Sequence, residues 1–262
     1  MPFDDVIHIS ASQLALYLDC RLRWRLSREA GYGKSTGPQL VGLAGHEVMA
    51  DYHGLAVTER GKAELEGLVV AHALPDQRLN REMTKCVRQF WGEFGLDEDE
   101  QPTGIEQAHR VLLYDDVWLV GAFDSETILS DTGFISEYKF SMKEPDIDDK
   151  VWWNHQPLVY YYMAEKLWPD VRLTHSQHTL IWPQGATRIR RPAYLPPEWR
   201  DYIPYLAREM LEVSPPIPKY GWGCKRCPFK QSCMRKLKQG TDEKEGQIPV
   251  WLLEDVRIGR TD

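Results

Sequence analysis

No run of apolar residues in this 262-residue chain approaches the ~20 that an α-helix needs to cross a bilayer. The opening Met1-Pro2-Phe3-Asp4-Asp5 has neither a basic stretch nor an apolar core of the kind that directs secretion, so a cytoplasmic location is expected. Excess positive charge is missing too. With 32 Lys and Arg against 39 Asp and Glu, the net charge is -7, and bulk charge does not mark the chain as a nucleic-acid binder. There is no internal repeat, which excludes a solenoid or propeller. Cysteine is scarce, at five, and without secretory features it argues against a disulfide framework.

What is present is unevenly spread. Three of the cysteines crowd into Cys224-Lys225-Arg226-Cys227-Pro228-Phe229-Lys230-Gln231-Ser232-Cys233, a C-x2-C-x5-C array suited to a metal centre. A four-ligand site then lacks one thiolate. Cys20 is the preferred fourth ligand, because it sits in a basic, polar-flanked helix, whereas Cys86 reads as a buried thiol in a helix. Four thiolates hold Zn²⁺ or an iron–sulfur cluster, and ligand number alone does not separate them. A lone cysteine joined to a distant triplet, with proline after one of them, is more like a [4Fe–4S] centre. Either group closes a loop of roughly two hundred residues, restricting the unfolded chain by about 5 kcal/mol and clasping its two ends together. Basic residues surround both cysteine regions: Arg21, Arg23, Arg25 and Arg28 near the start, and seven Lys or Arg between Lys219 and Lys238 with no acid among them.

The second concentration of chemistry is Gly121-Ala122-Phe123-Asp124 followed by Glu137-Tyr138-Lys139. Val117 to Asp124 and Phe134 to Phe140 read as adjacent strands, with Ser130-Asp131-Thr132-Gly133 as the turn between them. Alternation puts Glu137 and Lys139 on one face and Tyr138 on the other, while Asp124 ends the neighbouring strand. A Glu-x-Lys in a strand also fits an exposed charge pair. Two carboxylates beside a lysine suit a Mg²⁺ or Mn²⁺ ion that binds a phosphate.

Around these motifs, Ser10-Ala11-Ser12-Gln13 has the form of a capping box and leads into a helix with Leu14, Tyr17, Leu18 and Leu22 as its buried stripe. Further helices are expected over about Pro38 to Tyr52, carrying His46, over Lys62 to Phe94 as one long region, over Trp152 to Trp168 and over Pro197 to Val213. Strands are expected over Ile105 to Leu113, Thr174 to Trp182 and Thr187 to Arg191. Pro215 to Pro218 reads as a stiff linker, and Ile248 to Leu253 as a small apolar patch in a loose tail.

The ordered set Ser10-x-Ser12-x-Leu14-x-x-Tyr17-x-x-Cys20, His46, Gly121-x-x-Asp124, Glu137-x-Lys139, Gln156-x-x-x-Tyr160 and the cysteine triplet resembles the RecB-like branch of the PD-(D/E)XK nuclease superfamily. Within it, the chain resembles specifically the iron–sulfur exonucleases of the CRISPR-adaptation type, which often have proline after the first cysteine where Arg21 stands here. The resemblance implies an α/β fold: a restriction-endonuclease-like central mixed sheet flanked by helices, with an N-terminal helical region and a C-terminal iron–sulfur region clasped together. It implies one nuclease domain over residues 1–238 and a partly flexible tail over 239–262. By the same resemblance, Asp124, Glu137, His46 and the Tyr138 carbonyl hold the catalytic metal. Lys139 positions or activates the attacking water, and Gln156 and Tyr160, one helical turn apart, contact DNA or brace Lys139. Glu106 is a weaker candidate for a supporting or second-metal carboxylate. Trp152 and Trp153 are placed to stack bases of a single strand.

The expected activity is a Mg²⁺- or Mn²⁺-dependent DNA exonuclease acting on single-stranded ends, with a [4Fe–4S] cluster at Cys20, Cys224, Cys227 and Cys233. Its partners would be DNA and proteins of recombination or CRISPR adaptation, and no membrane. The competing expectations are a non-catalytic subunit that binds DNA ends and a zinc-stabilised binding module.

Overall fold

The computed structural model describes residues 7–29, 36–95, 101–152, 154–212, 224, 227–231 and 233. In chain order its first elements are β1 (Ile7–Ser10), α1 (Ala11–Asp19), α2 (Arg21–Glu29), α3 (Gly37–Gly54), α4 (Lys62–Ala71) and α5 (Gln77–Phe94). There follow β2 (Gly104–Tyr114), β3 (Val117–Leu129), β4 (Thr132–Phe140), α6 (Gln156–Leu167), β5 (Arg172–Trp182), β6 (Gly185–Pro192) and α7 (Trp199–Leu211). The chain divides into two compact units, one of Met1–Lys34, Leu112–Leu119 and Pro196–Asp262, the other of Ser35–Val111 and Val120–Leu195. The Pro215 to Pro218 linker, Trp153, the basic run other than Lys230 and the tail from 239 onward lie outside the described residues.

In the first unit, β1 meets the hairpin tip through Ile7 N–H donating to Asp116 O at 3.1 Å. Ser10 then caps α1: Gln13 N–H donates to Ser10 Oγ and Ser10 N–H to Gln13 Oε1, both at 3.1 Å. These bonds satisfy donors that a helix start leaves open and are worth about 1 kcal/mol. Leu14 and Tyr17 are buried beneath that helix. The helix does not run on through Cys20 as the sequence pattern predicts. Cys20 is extended (φ -164°, ψ 111°), and its N–H closes α1 on Leu16 O before α2 starts at Arg21. Arg21 reaches α7, where its guanidinium holds Glu209 at 2.8 and 3.0 Å.

The second unit is built on strands in the order β3-β4-β5-β6, with β2 paired to β3. β3 and β4 are antiparallel, β4 and β5 parallel, and β5 and β6 antiparallel, so the sheet is mixed. The parallel pair needs a crossover, which α6 supplies. The fold is therefore α/β with a mixed central sheet and flanking helices, consistent with the restriction-endonuclease-like expectation.

Two local expectations are corrected here. The region from Lys62 to Phe94 is two helices, because Pro75 cannot continue a helix and Asp76 starts the next by accepting from Arg78 N–H and Leu79 N–H. β3 does not stop at Asp124 but continues to Leu129, and the reversal is made at Ser130, whose φ of 57° lies in the left-handed region.

One face of the sheet is covered by α3 and α5. Tyr52, Val48, Met83 and Phe90 pack there with Tyr138 of β4 in a continuous apolar cluster. Burying each large side chain contributes about 1.5–3 kcal/mol. Helix α3 comes closest at Gly45, where an added Cβ would lie 2.7 Å from the Phe140 ring. Only glycine permits that approach, and it sets the height of the next residue, His46, above the sheet. Among the described residues, no helix is long and apolar enough to cross a membrane.

Candidate active site

The site forms where β3 and β4 part. Their paired register ends at Ser125 opposite Ser136. Just beyond, Tyr138 N–H donates to the Asp124 carboxylate (Oδ2, 2.6 Å) in place of a strand carbonyl. That bond fixes Asp124 Oδ2 and leaves Oδ1 toward α3, where His46 Nδ1 stands 3.4 Å away. Glu106 of β2 closes the group, with Oε1 at 3.7 Å from the same imidazole nitrogen. One ligand atom from each of His46, Glu106 and Asp124 lies within 4.8 Å of the others. Glu106 has φ 46°, an uncommon conformation for a non-glycine residue, held here at the edge of the acidic group. The sequence offers only a glutamate on a strand as a signal for it; the backbone geometry that brings it in is tertiary.

Glu137 and Lys139 share the face that alternation predicts and are ion-paired through Glu137 Oε2. Glu137 is 3% exposed, and its Oε1 is buried with no hydrogen-bond partner among the described residues. An unsatisfied carboxylate oxygen costs stability unless a cation or donor meets it, so this atom fits a metal ligand. The hard oxygen and imidazole donors fit Mg²⁺ or Mn²⁺ in kind. Tyr138 is seen here through its N–H and through its ring, whose hydroxyl meets His53 Nε2 at 2.7 Å on the opposite face.

The electrostatics are those of a site with excess acid. Burial and the Asp124 charge push the Glu137 carboxyl up to about 7, against the opposing pull of Lys139. Burial disfavours charge on Lys139, but Glu137 and Asp124 more than offset it and hold the ammonium above its usual range. Burial likewise works against an imidazolium at His46, yet hydrogen bonds to Asp124 and Glu106 lift it to about 9. Asp124 is pulled below the usual carboxylate range, since His46, Lys139 and Tyr138 N–H outweigh its burial. Two cationic protein groups thus occupy the space between carboxylates.

Gln156 and Tyr160 come together at the start of α6 and act on β3. Gln156 Nε2 donates to Tyr160 Oη at 2.6 Å, and Tyr160 O–H donates to Ala122 O at 3.0 Å, two residues before Asp124. The Tyr160 ring stands edge-on to Phe123 at 4.9 Å. These contacts brace the strand that carries Asp124. Trp152 is exposed.

The cysteines form a separate group in the first unit. Cys20, Cys227 and Cys233 pack on an apolar patch of Leu22, Leu26 and Phe229. Helical turns curl the triplet, with Cys227 N–H donating to Cys224 O at 3.4 Å and Cys233 N–H to Phe229 O at 3.0 Å. Burial raises the Cys233 thiol to about 11, and the charges of Cys227, Cys20 and Cys224 add to it. Cys86 is elsewhere, fully buried in the α3–α5 core with its thiol donating to Ser141 O at 3.8 Å.

Two carboxylates on adjacent strands, a lysine two residues after the second and a histidine above them define a metal-dependent, phosphodiester-cleaving class of protein. The sequence comparison agrees: the family model for the PD-(D/E)XK nuclease superfamily matches residues 8–234, and the chain belongs to that superfamily. No curated protein matches it by sequence. Among solved structures, it is similar to SSO0001, with 16% identity over 86% of this chain and 85% of that one and a TM-score of 0.42. It is also similar to a candidate exonuclease from Eubacterium rectale, with 9% identity over 93% of this chain and 91% of that one and a TM-score of 0.48.

Proposed function

We propose that this protein is a Mg²⁺- or Mn²⁺-dependent DNA exonuclease that works on single-stranded ends. The observation that carries the reading is the convergence of His46, Glu106 and Asp124 beside the Glu137–Lys139 pair. His46, Asp124 and Glu137, with the Tyr138 carbonyl, would hold the cation, and Glu106 would border it. The bound cation supplies Lewis acidity to the phosphate and lowers the pKa of a water. The remaining work belongs to the chain. Tyr138 N–H holds Asp124 in one rotamer, and the Lys139 ammonium offsets charge on the non-bridging phosphate oxygens as it builds up. Gln156 and Tyr160 keep β3 in register so that Asp124 does not drift.

The assay is end-labelled single- and double-stranded DNA with Mn²⁺. Shortening from single-stranded ends is expected, and Asp124→Ala or Glu137→Ala should lose Mn²⁺ binding and cleavage together. Full activity in either variant would remove the assigned site, and end binding without cleavage by the native protein would favour the non-catalytic subunit.

The cysteine group is read as a [4Fe–4S] centre held by Cys20, Cys224, Cys227 and Cys233, supported by the packing of Cys20, Cys227 and Cys233 on one apolar patch and by the Cys224 charge that acts on Cys233. Protein purified without oxygen should be brown, with absorbance near about 400 nm. Cys20→Ser should bleach it and Cys86→Ser should not. A colourless protein with stoichiometric zinc would decide for the zinc alternative. A role in CRISPR adaptation, recombination or phage DNA metabolism is supported by the sequence resemblance.

A further inference from the structure

A buried carboxylate that the proposed reaction does not use lies two residues beyond Asp124 on β3. Glu126 is 6% exposed, and it holds β2 at two places. Its backbone oxygen accepts from Thr103 N–H at 2.8 Å and from Thr103 Oγ1–H at 3.0 Å, just before β2 begins. Further along β2, its carboxylate oxygen Oε2 meets His109 Nε2 at 2.7 Å. The other oxygen, Oε1, lies against Gly104, where an added Cβ would stand 2.5 Å from it. Thr103 is tied to β3 a second time, since its Oγ1 accepts from Ile128 N–H at 3.1 Å. His109 is fixed in turn by ring contacts with Phe123 at 5.1 Å and Trp168 at 5.6 Å.

Glu106 lies between these two holding points. Six steps of straight strand, from Thr103 to His109, would cover roughly 20 Å. Both ends here bond to one residue, so the backbone between them does not run straight. The slack is taken up at Glu106, whose φ of 46° lies in the left-handed region. Exposure shows the same break: Glu106, Gln107 and Ala108 are all exposed, where an uninterrupted strand would alternate. A bulge of this kind re-aims a side chain, and the one re-aimed here stands 3.7 Å from His46 Nδ1 in the candidate metal group. Such a backbone conformation persists only where its surroundings hold it. Glu126 supplies the bonds on both sides that do so.

We propose that Glu126 is a positioning residue for Glu106: by clamping β2 at Thr103, Gly104 and His109, it holds the bulge that turns the Glu106 carboxylate toward the metal. One strand then sets both carboxylates, Asp124 directly and Glu106 through Glu126 two residues on. A shift of β3 carries the two together and preserves the gap between them. Loss of such support typically weakens metal binding or activity by about 10–100-fold, and the lower end is expected for a carboxylate that borders the site.

The inference rests on the metal-site reading above. Its test is Mn²⁺ binding to the full chain by calorimetry, with thermal midpoints alongside. Glu126→Leu should weaken Mn²⁺ binding by about tenfold, whereas Glu126→Gln, which keeps the shape and can still bond His109, should stay within about threefold of the native protein. Where Glu126→Leu alone fails to fold, combining it with His109→Phe removes both polar partners at similar volume, and the same loss of about tenfold is expected. The deciding comparison repeats the change in the Glu106→Ala background. If Glu126 acts through Glu106, Glu126→Leu costs less than about twofold more in Mn²⁺ affinity there, while its drop in thermal midpoint persists. Equal Mn²⁺ losses in the two backgrounds would overturn the positioning role alone. So would native affinity in Glu126→Leu or in Glu106→Ala, or a loss in Glu126→Gln equal to that in Glu126→Leu. No Mn²⁺ binding by the native protein would overturn the metal site, and this role with it.

Discussion

Lys139→Met is expected to slow cleavage by about a thousandfold while leaving the protein folded and Mn²⁺ bound. The charges of Glu137, Asp124 and Glu106 all act on this lysine, and its own ion pair is to Glu137. In the resting protein that pair holds the Glu137 carboxylate through Oε2, while Oε1 has no partner among the described residues. In the proposed reaction, the same ammonium would face negative charge that grows on the phosphate, where a fixed donor in a water-poor site has its largest effect. Removing it therefore separates two functions. Transition-state stabilisation is lost, whereas a competitor for Glu137 is also removed, so Mn²⁺ affinity above pH 8 should be no weaker than in the native protein. Methionine keeps the length and packing of the side chain, which guards the fold. Single-turnover cleavage and calorimetry on one preparation give both values. Cleavage within tenfold of native, or loss of Mn²⁺ binding in step with activity, would show that Lys139 serves structure and not the reaction.

Mn²⁺ affinity should climb steeply with pH. His46 titrates near 9 and Glu137 near 7 in the metal-free protein. A cation binding at those atoms must expel their protons. Between pH 7 and 8.5 one proton is released, giving about a tenfold gain per pH unit, and below pH 7 two are released and the slope approaches about a hundredfold. The consequence for stability has a definite sign. Both groups titrate higher in the folded chain than in the unfolded one, so their contribution is fully present below the ordinary values of 4.5 and 6.5. It is lost as pH rises through about 7 and 9. The metal-free protein should lose stability over that range, and Mn²⁺ should restore more of it at pH 8.5 than at pH 6. The acid side is governed by other groups. Burial holds His53 down to about 3 and His178 to about 4, and their contribution is present above 6.5 and lost as pH falls toward those values. Thermal melts with and without Mn²⁺ from pH 6 to 8.5 test both limbs. A metal-induced shift that is flat across this range would show that His46 and Glu137 do not share the ion.

Much of the candidate site was legible in the chain because its parts are local. A carboxylate and a lysine two residues apart in a strand must share a face, and Gln156 and Tyr160 four apart on a helix must be neighbours. The capping box at Ser10 and Gln13 and the break at Pro75-Asp76 are likewise matters of short-range backbone bonding, although the sequence pattern from Lys62 to Phe94 reads as one helical region. Cys20 misled for the opposite reason: the apolar stripe continues across it, and nothing in the spacing shows that the backbone is extended there.

By itself, then, the sequence determined which residues belong to which strand or helix face, the alternation that pairs Glu137 with Lys139, and membership of the PD-(D/E)XK superfamily. Tertiary structure alone decided which of those faces meet. His46 is brought to Asp124 because Gly45 lets α3 lie against Phe140, and Glu106 joins them through a left-handed backbone no propensity would assign. His178 becomes the register partner of Glu137 through a parallel pairing whose partners lie about forty residues apart. Local rules follow from the period of a helix or a strand, whereas these contacts depend on packing and strand order, which no short window of sequence contains.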